Sequence, residues 1–261
     1  MRRDSTLATI MTALVLCIVC SVIVSASAVG LRSLQDENKR KFRQKNILEA
    51  AGYSAEQIQR EGITKLFENI ETRLINFQTG DPAEKIDAGT FDQRVAAKDP
   101  TFTNSIAIPA DKQTFGFSQH ERYGRVYLMK QDGELKKVIL PIYGKGLWST
   151  LYGFISLESD LNTVSGITFY EHKETPGLGG EVDNPDWKAL WVNKHVQNSD
   201  GEVKLEIVKG KVVQGSTDAD HQIDGLSGAT ITSQGVSNAV RYWLNDGYRP
   251  FLEKLGSEPH G

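Results

Sequence analysis

The feature that most constrains this chain is an uncharged apolar run near its start, at residues 5–31. The run is rich in Leu, Val, Ile and Ala, and it is long enough to cross a hydrocarbon core of about 30 Å. Arg2 and Arg3 precede it, and Ala26-x-Ala28 is similar to a cleavage site, so a removed signal peptide is the alternative. We favour a retained transmembrane anchor over 1–32, because the run exceeds the apolar length usual in signal peptides.

The cysteine count limits the kind of redox centre that the chain can hold. Its two cysteines, Cys17 and Cys20, both lie inside the apolar run, where we expect them to serve as small apolar side chains. Two thiols are too few for an ordinary iron–sulfur cluster, and no C-x-x-C-H haem attachment site is present. The net charge of −3, with no basic stripe, argues against a nucleic-acid partner.

Positive charges flank the apolar run on both sides. Arg2, Arg3 and the terminal amine favour a cytoplasmic start, whereas a larger basic group after the run favours the reverse. That group consists of Arg32, Lys39, Arg40, Lys41, Arg43 and Lys45. Counting charges therefore does not decide on which side of the membrane the domain after the anchor lies.

Residues 33 to about 77 are typical of helices that connect an anchor to a domain. A charged helix is predicted over 41–51, and Ser54 with Gln57 has the spacing of a capping box. An amphipathic pattern over 63–75 places Leu66, Ile70 and Leu74 on one helical face. Residues 79–102, with several Gly and Pro, are predicted as a loop-rich connection. We therefore predict a helical linker region over 33–100.

The hydrophobic period changes to that of strands from about Asn104. Residues 125–131 and 136–142 flank Asp132-Gly133, which is a strong hairpin signal. Further strands are predicted over 151–157, 164–170 and 203–208. Strands clustered before one long helix, without regular βαβ alternation, predict an α+β domain over 101–261 with a mainly antiparallel sheet and flanking helices.

The long final helix is predicted from apolar residues at helical spacing. These are Val236, Ala239, Val240, Trp243 and Leu244. Thr232 or Ser233 is a candidate N-cap, and Gly247 followed by Pro250 is a stop signal.

A stretch of small residues, at 224–230, leads into this helix. It has the sequence Asp-Gly-Leu-Ser-Gly-Ala-Thr, a turn signal followed by small side chains. Small residues allow a ligand to approach the backbone, and a helix N-terminus favours anions, so Thr230 places a hydroxyl where a phosphate could be held. The alternative from the residues alone is an ordinary turn that runs into a capped helix.

Two other stretches, at 144–149 and 171–180, are rich in glycine. The first, Gly-Lys-Gly-Leu-Trp-Ser, lies between two predicted strands, and a simple hairpin loop is its alternative. The second contains Glu-Thr-Pro-Gly-Leu-Gly-Gly, a shaped loop whose backbone can approach a planar ligand, with Gly179 expected to need a positive φ. Its alternative is an ordinary turn in which His172 and Glu174 form a surface pair. No metal site is predicted, because no third ligand stands at suitable spacing.

Together, the three stretches resemble motifs of a family of FMN-binding subunits of two related membrane redox pumps. In particular, the chain resembles the C subunit of the sodium-translocating NADH:quinone reductase; the equivalent subunit of the ferredoxin-linked (Rnf-type) complex is the alternative. In this family, the last Thr of Asp-x-x-Ser-Gly-Ala-Thr carries FMN through a phosphoester bond, transferred from FAD by a separate flavin transferase. The cofactor-binding residues that the resemblance implies are Thr230, Asp224, Ser227, Gly228, Ala229, Thr175, Gly177, Leu178, Gly179, Trp148 and Lys145.

The resemblance also implies a function. An FMN on Thr230 would relay electrons between other subunits of a multi-subunit complex, with Lys145 or Lys173 near its phosphate and Leu147 and Leu178 beside its ring. The chain would be a single-pass protein of the bacterial cytoplasmic (inner) membrane, with its soluble domain on the periplasmic side. No catalytic residue and no NADH site are expected here, since no Gly-x-Gly-x-x-Gly follows a strand. A membrane-anchored binding module without a redox cofactor is the competing class.

Overall fold

The computed structural model describes residues 6–84, 86–87, 91–101 and 103–257. Arg2, Arg3 and Ser5 of the predicted anchor, and Gly89 and Phe102 of the predicted loop, lie outside the described residues. The chain divides into two compact units, Met1–Arg43 and Gln44–Gly261.

The first unit consists, where it is described, of a long helix. This helix, α1 (Thr6–Ala50), continues into the first residues of the second unit. Among the described residues, α1 is the one helix long and apolar enough to cross a membrane, and its large apolar side chains from Leu7 to Leu34 are exposed. The prediction of a long apolar N-terminal helix is therefore confirmed. Cys17 and Cys20 are free thiols on its exposed surface.

The second unit combines short helices with strands. The further helices are α2 (Ala55–Glu61), α3 (Ile63–Phe67), α4 (Gln93–Ala96), α5 (Pro185–Ala189), α6 (Thr230–Tyr242) and α7 (Arg249–Ser257). The strands are β1 (Ile70–Asn76), β2 (Ser105–Ala107), β3 (Gln119–Glu121), β4 (Tyr123–Gln131), β5 (Glu134–Lys145), β6 (Thr150–Glu158), β7 (Val164–Glu171), β8 (Glu206–Ile207) and β9 (Gln222–Ile223). Short segments of 3₁₀ helix occupy Ala110–Phe115, Gly179–Asp183 and Ala219–His221.

The main sheet is antiparallel, with the strand order β1-β4-β5-β6-β7. β4 and β5 form the predicted hairpin, in which Asp132 has φ 55° and Gly133 has φ 85°. Two successive residues with positive φ match the twist of the flanking strands, which is why Asp-Gly is favoured there. The prediction of an α+β fold with a mainly antiparallel sheet is confirmed.

The helix predicted over 63–75 is wrong in its second half. α3 ends at Phe67, and β1 pairs with β4 at the edge of the sheet, with Ile70 opposite Met129. A spacing of four, as between Ile70 and Leu74, fits one helical face and also one face of a strand, so only the pairing with β4 decides between them. The domain limits predicted at residues 32 and 100 stay predictions, although β1 shares its sheet with strands beyond residue 100.

The strand predicted over 203–208 is much shorter than expected. Only Glu206–Ile207 forms β8, and it pairs in parallel with β9. The segment is instead held against α6, because the Ile207 amide donates to Ser237 Oγ at 3.1 Å.

The main sheet is covered on both faces. On one face, Val126 and Leu140 belong to the larger core, which includes the buried side of α6. On the other face, Ile139 packs with Ile47 and Ile58, from the end of α1 and from α2. Side chains that alternate along a strand point to opposite faces, so neighbouring residues such as Ile139 and Leu140 serve two different cores.

α6 packs unusually closely on the end of β5. A Cβ placed on Gly144 would lie 2.5 Å from the Ala239 Cβ, and a Cβ on Gly235 would overlap the Lys145 carbonyl oxygen. The apolar face predicted for this helix is buried, as expected. α6 itself ends at Tyr242, and a π-helical turn, Trp243–Gly247, continues to the predicted stop residue Gly247. Pro250 does not end the helical region, because it lies in the first turn of α7. This packing sets the start of α6 beside the loop that follows β5.

Candidate functional site

The start of α6 has no side-chain cap among the described residues. Thr230 is the first helical residue, and Ala229 stands at the N-cap position. The prediction that Thr232 or Ser233 caps the helix is wrong, because both lie inside its first turn. Their hydroxyls serve tertiary contacts instead: Ser233 Oγ accepts from the Leu226 amide at 3.0 Å, and Thr232 donates to Glu174. The first N–H groups of α6 are therefore left for another acceptor.

The turn before α6 is fixed by Asp224. Its Oδ1 accepts from the Val212 amide at 2.8 Å, and its carbonyl oxygen accepts from Trp187 Nε1 at 2.9 Å. Ser227 and Gly228 follow on the exposed side of the turn. The structure thus gives Asp224 a role in shaping the turn, and its predicted contact with FMN stays a prediction.

Glu174 joins the three stretches that the sequence singled out. Its side chain is buried, with 5% of the residue exposed. Oε1 accepts from the amides of Trp148 and Ser149, at 3.0 and 3.1 Å. Oε2 accepts from the Leu147 amide at 3.2 Å and from the Thr232 hydroxyl at 2.6 Å. One carboxylate therefore ties the loop after β5 and the loop after β7 to the first turn of α6.

The charge of Glu174 is stabilised by these donors. Burial acts to raise the pKa of Glu174, but the Thr232 hydroxyl and the backbone amides of the β5 loop outweigh it and lower the pKa. The carboxylate is consequently ionised at neutral pH. An ionised carboxylate can accept all four of these hydrogen bonds.

Two glycines allow the loops to close around this carboxylate. A Cβ on Gly146 would lie 2.7 Å from Glu174 Oε1, and a Cβ on Gly179 would lie 2.6 Å from Thr232 Oγ1. The expectation that Gly179 needs a positive φ is wrong, because its φ is not positive. Glycine is required at this position because a side chain would not fit. Gly177 is the residue of this loop with a left-handed backbone, at φ 77°.

His172 supports Glu174 through the backbone. Its Nδ1 accepts from the Glu174 amide at 3.2 Å, and its Nε2 lies 2.8 Å from Asp183 Oδ2. An Nδ1 that accepts implies an Nε2–H that donates to Asp183. The alternative of an exposed side-chain pair between His172 and Glu174 is therefore wrong. Neither this link nor the convergence of donors on Glu174 is visible in the sequence, where Glu174 is only an acid before a Gly- and Pro-rich loop.

Exposed apolar side chains border the site. Leu147, Trp148 and Leu178 are 49%, 68% and 44% exposed. Leu178 lies close to the turn before α6, because a Cβ on Gly228 would be 2.9 Å from its Cδ2. Thr230 itself is exposed. Leu178 therefore lies beside the turn that leads to Thr230.

The remaining predicted residues lie on the same loops. Thr175 is exposed, and its carbonyl oxygen accepts from the amides of Leu178 and Gly180, which shapes the turn. Lys145 is exposed, and its Nζ lies 5.6 Å from the centroid of the Phe117 ring. The contact of Lys145 with a phosphate stays a prediction.

Thr230 is one of the residues that line a cavity of about 310 Å³. Lys209, Gln234 and Arg241 are among its lining residues. No group of His, Cys, Asp and Glu side chains that could hold a metal ion occurs in the described part of the chain.

Comparisons with known proteins identify the family of this chain. The FMN-binding domain model matches residues 146–245, which include the loops at Glu174 and the start of α6. The C subunit of the Na⁺-translocating NADH-quinone reductase of Pseudomonas aeruginosa is 45% identical over 255 residues, 97% of each chain. The chain belongs to this family of C subunits. The Vibrio campbellii relative of the same name is also 45% identical, over 97% of this chain and 96% of the relative.

Solved structures from this family share the fold. The crystal structure of Shewanella oneidensis NqrC is 34% identical with a TM-score of 0.73, and the match covers 85% of this chain and all (100%) of that one. The structure of the C subunit from Parabacteroides distasonis is 30% identical with a TM-score of 0.64, over 85% of this chain and 96% of that chain. The predicted family and the predicted fold are thus both confirmed.

Proposed function

We propose that this chain is the FMN-bearing, electron-carrying C subunit of a Na⁺-translocating NADH-quinone reductase, with FMN joined to Thr230 by a phosphoester. The observation that carries the proposal is the exposed Thr230 at the uncapped start of α6, held beside two glycine-rich loops by Glu174. Relatives named as the C subunit of the sodium-translocating enzyme, at 45% identity, favour it over the ferredoxin-linked complex. The match to an FMN-binding domain argues against a module without a cofactor.

The residues present fit an FMN phosphate. Uncapped N–H groups and the positive end of the helix dipole favour an anion at the start of α6. Ser227, Gly228 and Ala229 are small, so the backbone there is open to a ligand. Lys145 and Lys173 are exposed cations on the neighbouring loops and would add to the attraction.

The residues present also fit the ring. Trp148 and Leu178 would flank the isoalloxazine, Leu147 would keep one face apolar, and Thr175, Gly177 and Gly179 would shape the loop against it. Bound FMN supplies the one- and two-electron chemistry, and the protein supplies its attachment, orientation and electrostatic surroundings.

Attachment is a group transfer in which this chain supplies the nucleophile. The Thr230 hydroxyl oxygen forms a bond to the phosphorus of the FMN half of FAD. The phosphoanhydride bond breaks, AMP leaves with the bonding electrons, and the hydroxyl proton passes to the flavin transferase. Within the described residues no side chain is hydrogen-bonded to the Thr230 hydroxyl, which supports activation by the transferase rather than by a base of this chain.

We further propose that α1 anchors the chain in the cytoplasmic membrane of a bacterium and that the domain lies on the periplasmic side. The long exposed apolar helix supports the anchor. A cysteine introduced at the exposed residue Gln214 should react with a membrane-impermeant maleimide in spheroplasts. Labelling only after the spheroplasts are lysed would place the domain in the cytoplasm.

The attachment is tested with Thr230→Val, which keeps the shape of the side chain and removes its oxygen. The full chain, produced with the flavin transferase, should show in-gel flavin fluorescence and an added FMN in its intact mass. Thr230→Val should lose both, and quinone reduction by the assembled complex should fall with them. Thr217→Val, the same change at an exposed loop residue, is the matched control and should keep both. Fluorescence that persists in denatured Thr230→Val would overturn the proposal.

A further inference from the structure

We infer that Glu174 is the positioning residue that presents Thr230 to the flavin transferase. It acts by pinning the first turn of α6, through Thr232, to the loops after β5 and β7. The inference rests on the proposed function, in which Thr230 carries the FMN.

The first step is the convergence of four donors on one buried carboxylate. Three consecutive amides, of Leu147, Trp148 and Ser149, donate to Glu174 from the β5 loop. A second link ties the same two loops, because the Lys173 amide donates to Ser149 Oγ at 2.7 Å. Hydrogen bonds from the β5 loop thus hold the carboxylate in place in addition to its bond to α6.

The second step is the bond from Thr232 to Glu174 Oε2, at 2.6 Å. Thr232 is 1% exposed, so its side chain points into the protein. Positions two apart on a helix point about 200° apart around its axis. Holding Thr232 inward therefore turns Thr230 outward, and Thr230 is indeed exposed.

The third step is the support behind Glu174. Its own amide donates to His172 Nδ1, and the His172 ring faces Asp183 Oδ2 on the other side. A continuous series of hydrogen bonds consequently runs from Asp183 through His172 and Glu174 to Thr232. The backbone and the side chain of Glu174 are both fixed, as a residue that positions another group requires.

The chemistry of the donors explains why a carboxylate stands here. All four partners donate, and a carboxylate only accepts. In either orientation, a glutamine would point its NH₂ group at a backbone N–H, whereas an aspartate keeps the charge but is one methylene shorter. We therefore expect Glu174→Gln to be more harmful than Glu174→Asp.

The experiment measures the rate of covalent flavin incorporation into the purified full-length apo chain, with FAD and the transferase. Because a small misplacement of a reacting group costs rate steeply, Glu174→Gln and Thr232→Val should be slower by about 10- to 100-fold. Thr232→Ser, which restores the hydroxyl, should recover most of the rate. Glu202→Gln, at an exposed glutamate paired with Lys204, is the control and should match the wild type.

Two readouts separate positioning from a general loss of structure. Amide hydrogen exchange of Trp148 and Ser149 in the apo chain should accelerate in Glu174→Gln while the chain stays folded. The double variant with Thr232→Val should be about as slow as Glu174→Gln alone, because both changes disrupt the same link between the β5 loop, Glu174 and α6. If Glu174→Gln does not fold, Thr232→Val against Thr232→Ser carries the test.

The outcomes distinguish the two proposals. If the wild type gains flavin and the Glu174 and Thr232 variants gain it at the same rate, the positioning role is overturned and the attachment stands. Rate losses that multiply in the double variant would also overturn it, since the two residues would then act independently. If the wild type itself gains no covalent flavin, the proposed function fails and this inference falls with it.

Discussion

The Cα of Gly235 lies against the carbonyl oxygen of Lys145, so that no side chain fits between α6 and the end of β5. Gly144 and Ala239 meet in the same way one turn further along the helix, where an added Cβ would lie 2.5 Å from an existing one. This contact decides how near the first turn of α6 comes to the loop at 146–149. The bond between Thr232 and Glu174 depends on it.

The first prediction compares two helical glycines. Gly235→Ala should lower the free energy of unfolding by about 1–3 kcal/mol, because its methyl group overpacks a rigid backbone contact. Gly256→Ala is the matched control in α7, where the new Cβ would lie 3.4 Å from Leu161 Cδ1. It should stabilise the chain by up to about 1 kcal/mol, the helix propensity difference. Urea unfolding of the full chain in detergent measures both, and equal effects would contradict the argument.

The second prediction concerns Asp224. Asp224→Ala removes the acceptor of the Val212 amide and should cost about 0.5–1.5 kcal/mol of stability. Asp224→Asn retains an oxygen at that position and should cost much less. The same unfolding experiment distinguishes them. If Asn and Ala are equally destabilising, the charge of Asp224 matters more than the hydrogen bond seen here.

The third prediction tests the role of Ser233 as a tertiary acceptor. Ser233→Ala leaves the Leu226 amide unpaired in a buried position, which should cost about 1–3 kcal/mol. Gln234→Ala changes the exposed neighbour on the same helix and should stay within about 0.5 kcal/mol of the wild type. A Ser233→Ala chain as stable as Gln234→Ala would mean that the Leu226 amide finds another partner.

The parts of the fold that the sequence predicts are those with local signals. The apolar face of α6, the Asp132-Gly133 hairpin and the long apolar helix α1 each follow from residues close together in the chain. The local pattern at β1 predicts a helix, because the spacing of Ile70 and Leu74 fits both structures. Its true partner, β4, lies far along the chain at Tyr123–Gln131, and no local pattern reports such a pairing.

In the candidate site, too, the sequence predicts the features that have a local signal and misses those that depend on distant residues. The stretch of small residues at 224–230 and the two glycine-rich stretches are recognisable by their order and composition, and the structure brings them together. Glu174 is not recognisable, because its partners are backbone amides 25–27 residues earlier and a hydroxyl 58 residues later. Thr232 and Ser233 carry a genuine local signal for a helix cap, but tertiary bonds use their hydroxyls instead.

The last prediction concerns Glu121, a buried acid at the end of β3. It is 3% exposed and accepts from Tyr143 Oη at 2.8 Å and from Gln93 Nε2 at 3.1 Å. Burial raises the pKa of Glu121 to about 7, from an ordinary value of 4.5. Its neighbour His120 is also buried, and burial lowers the pKa of His120 to about 4.

The two shifts act on stability with opposite signs. Between pH 4.5 and about 7 the folded chain keeps the Glu121 proton that the unfolded chain loses, so this effect weakens the fold as pH rises. Between about pH 4 and 6.5 the unfolded chain protonates His120 and the folded chain does not, so that effect strengthens the fold as pH rises. In the wild type the two trends oppose each other over most of the acid range.

Glu121→Gln removes one of these trends, since glutamine stays neutral at every pH. The stability of the variant relative to the wild type should therefore increase by about 3 kcal/mol between about pH 4 and pH 8. The His120 trend should also become visible as a rise in stability with pH that the wild type conceals. Urea unfolding at several pH values measures both. Stability curves that run parallel for the two proteins would mean that Glu121 titrates at its ordinary pKa in the folded chain.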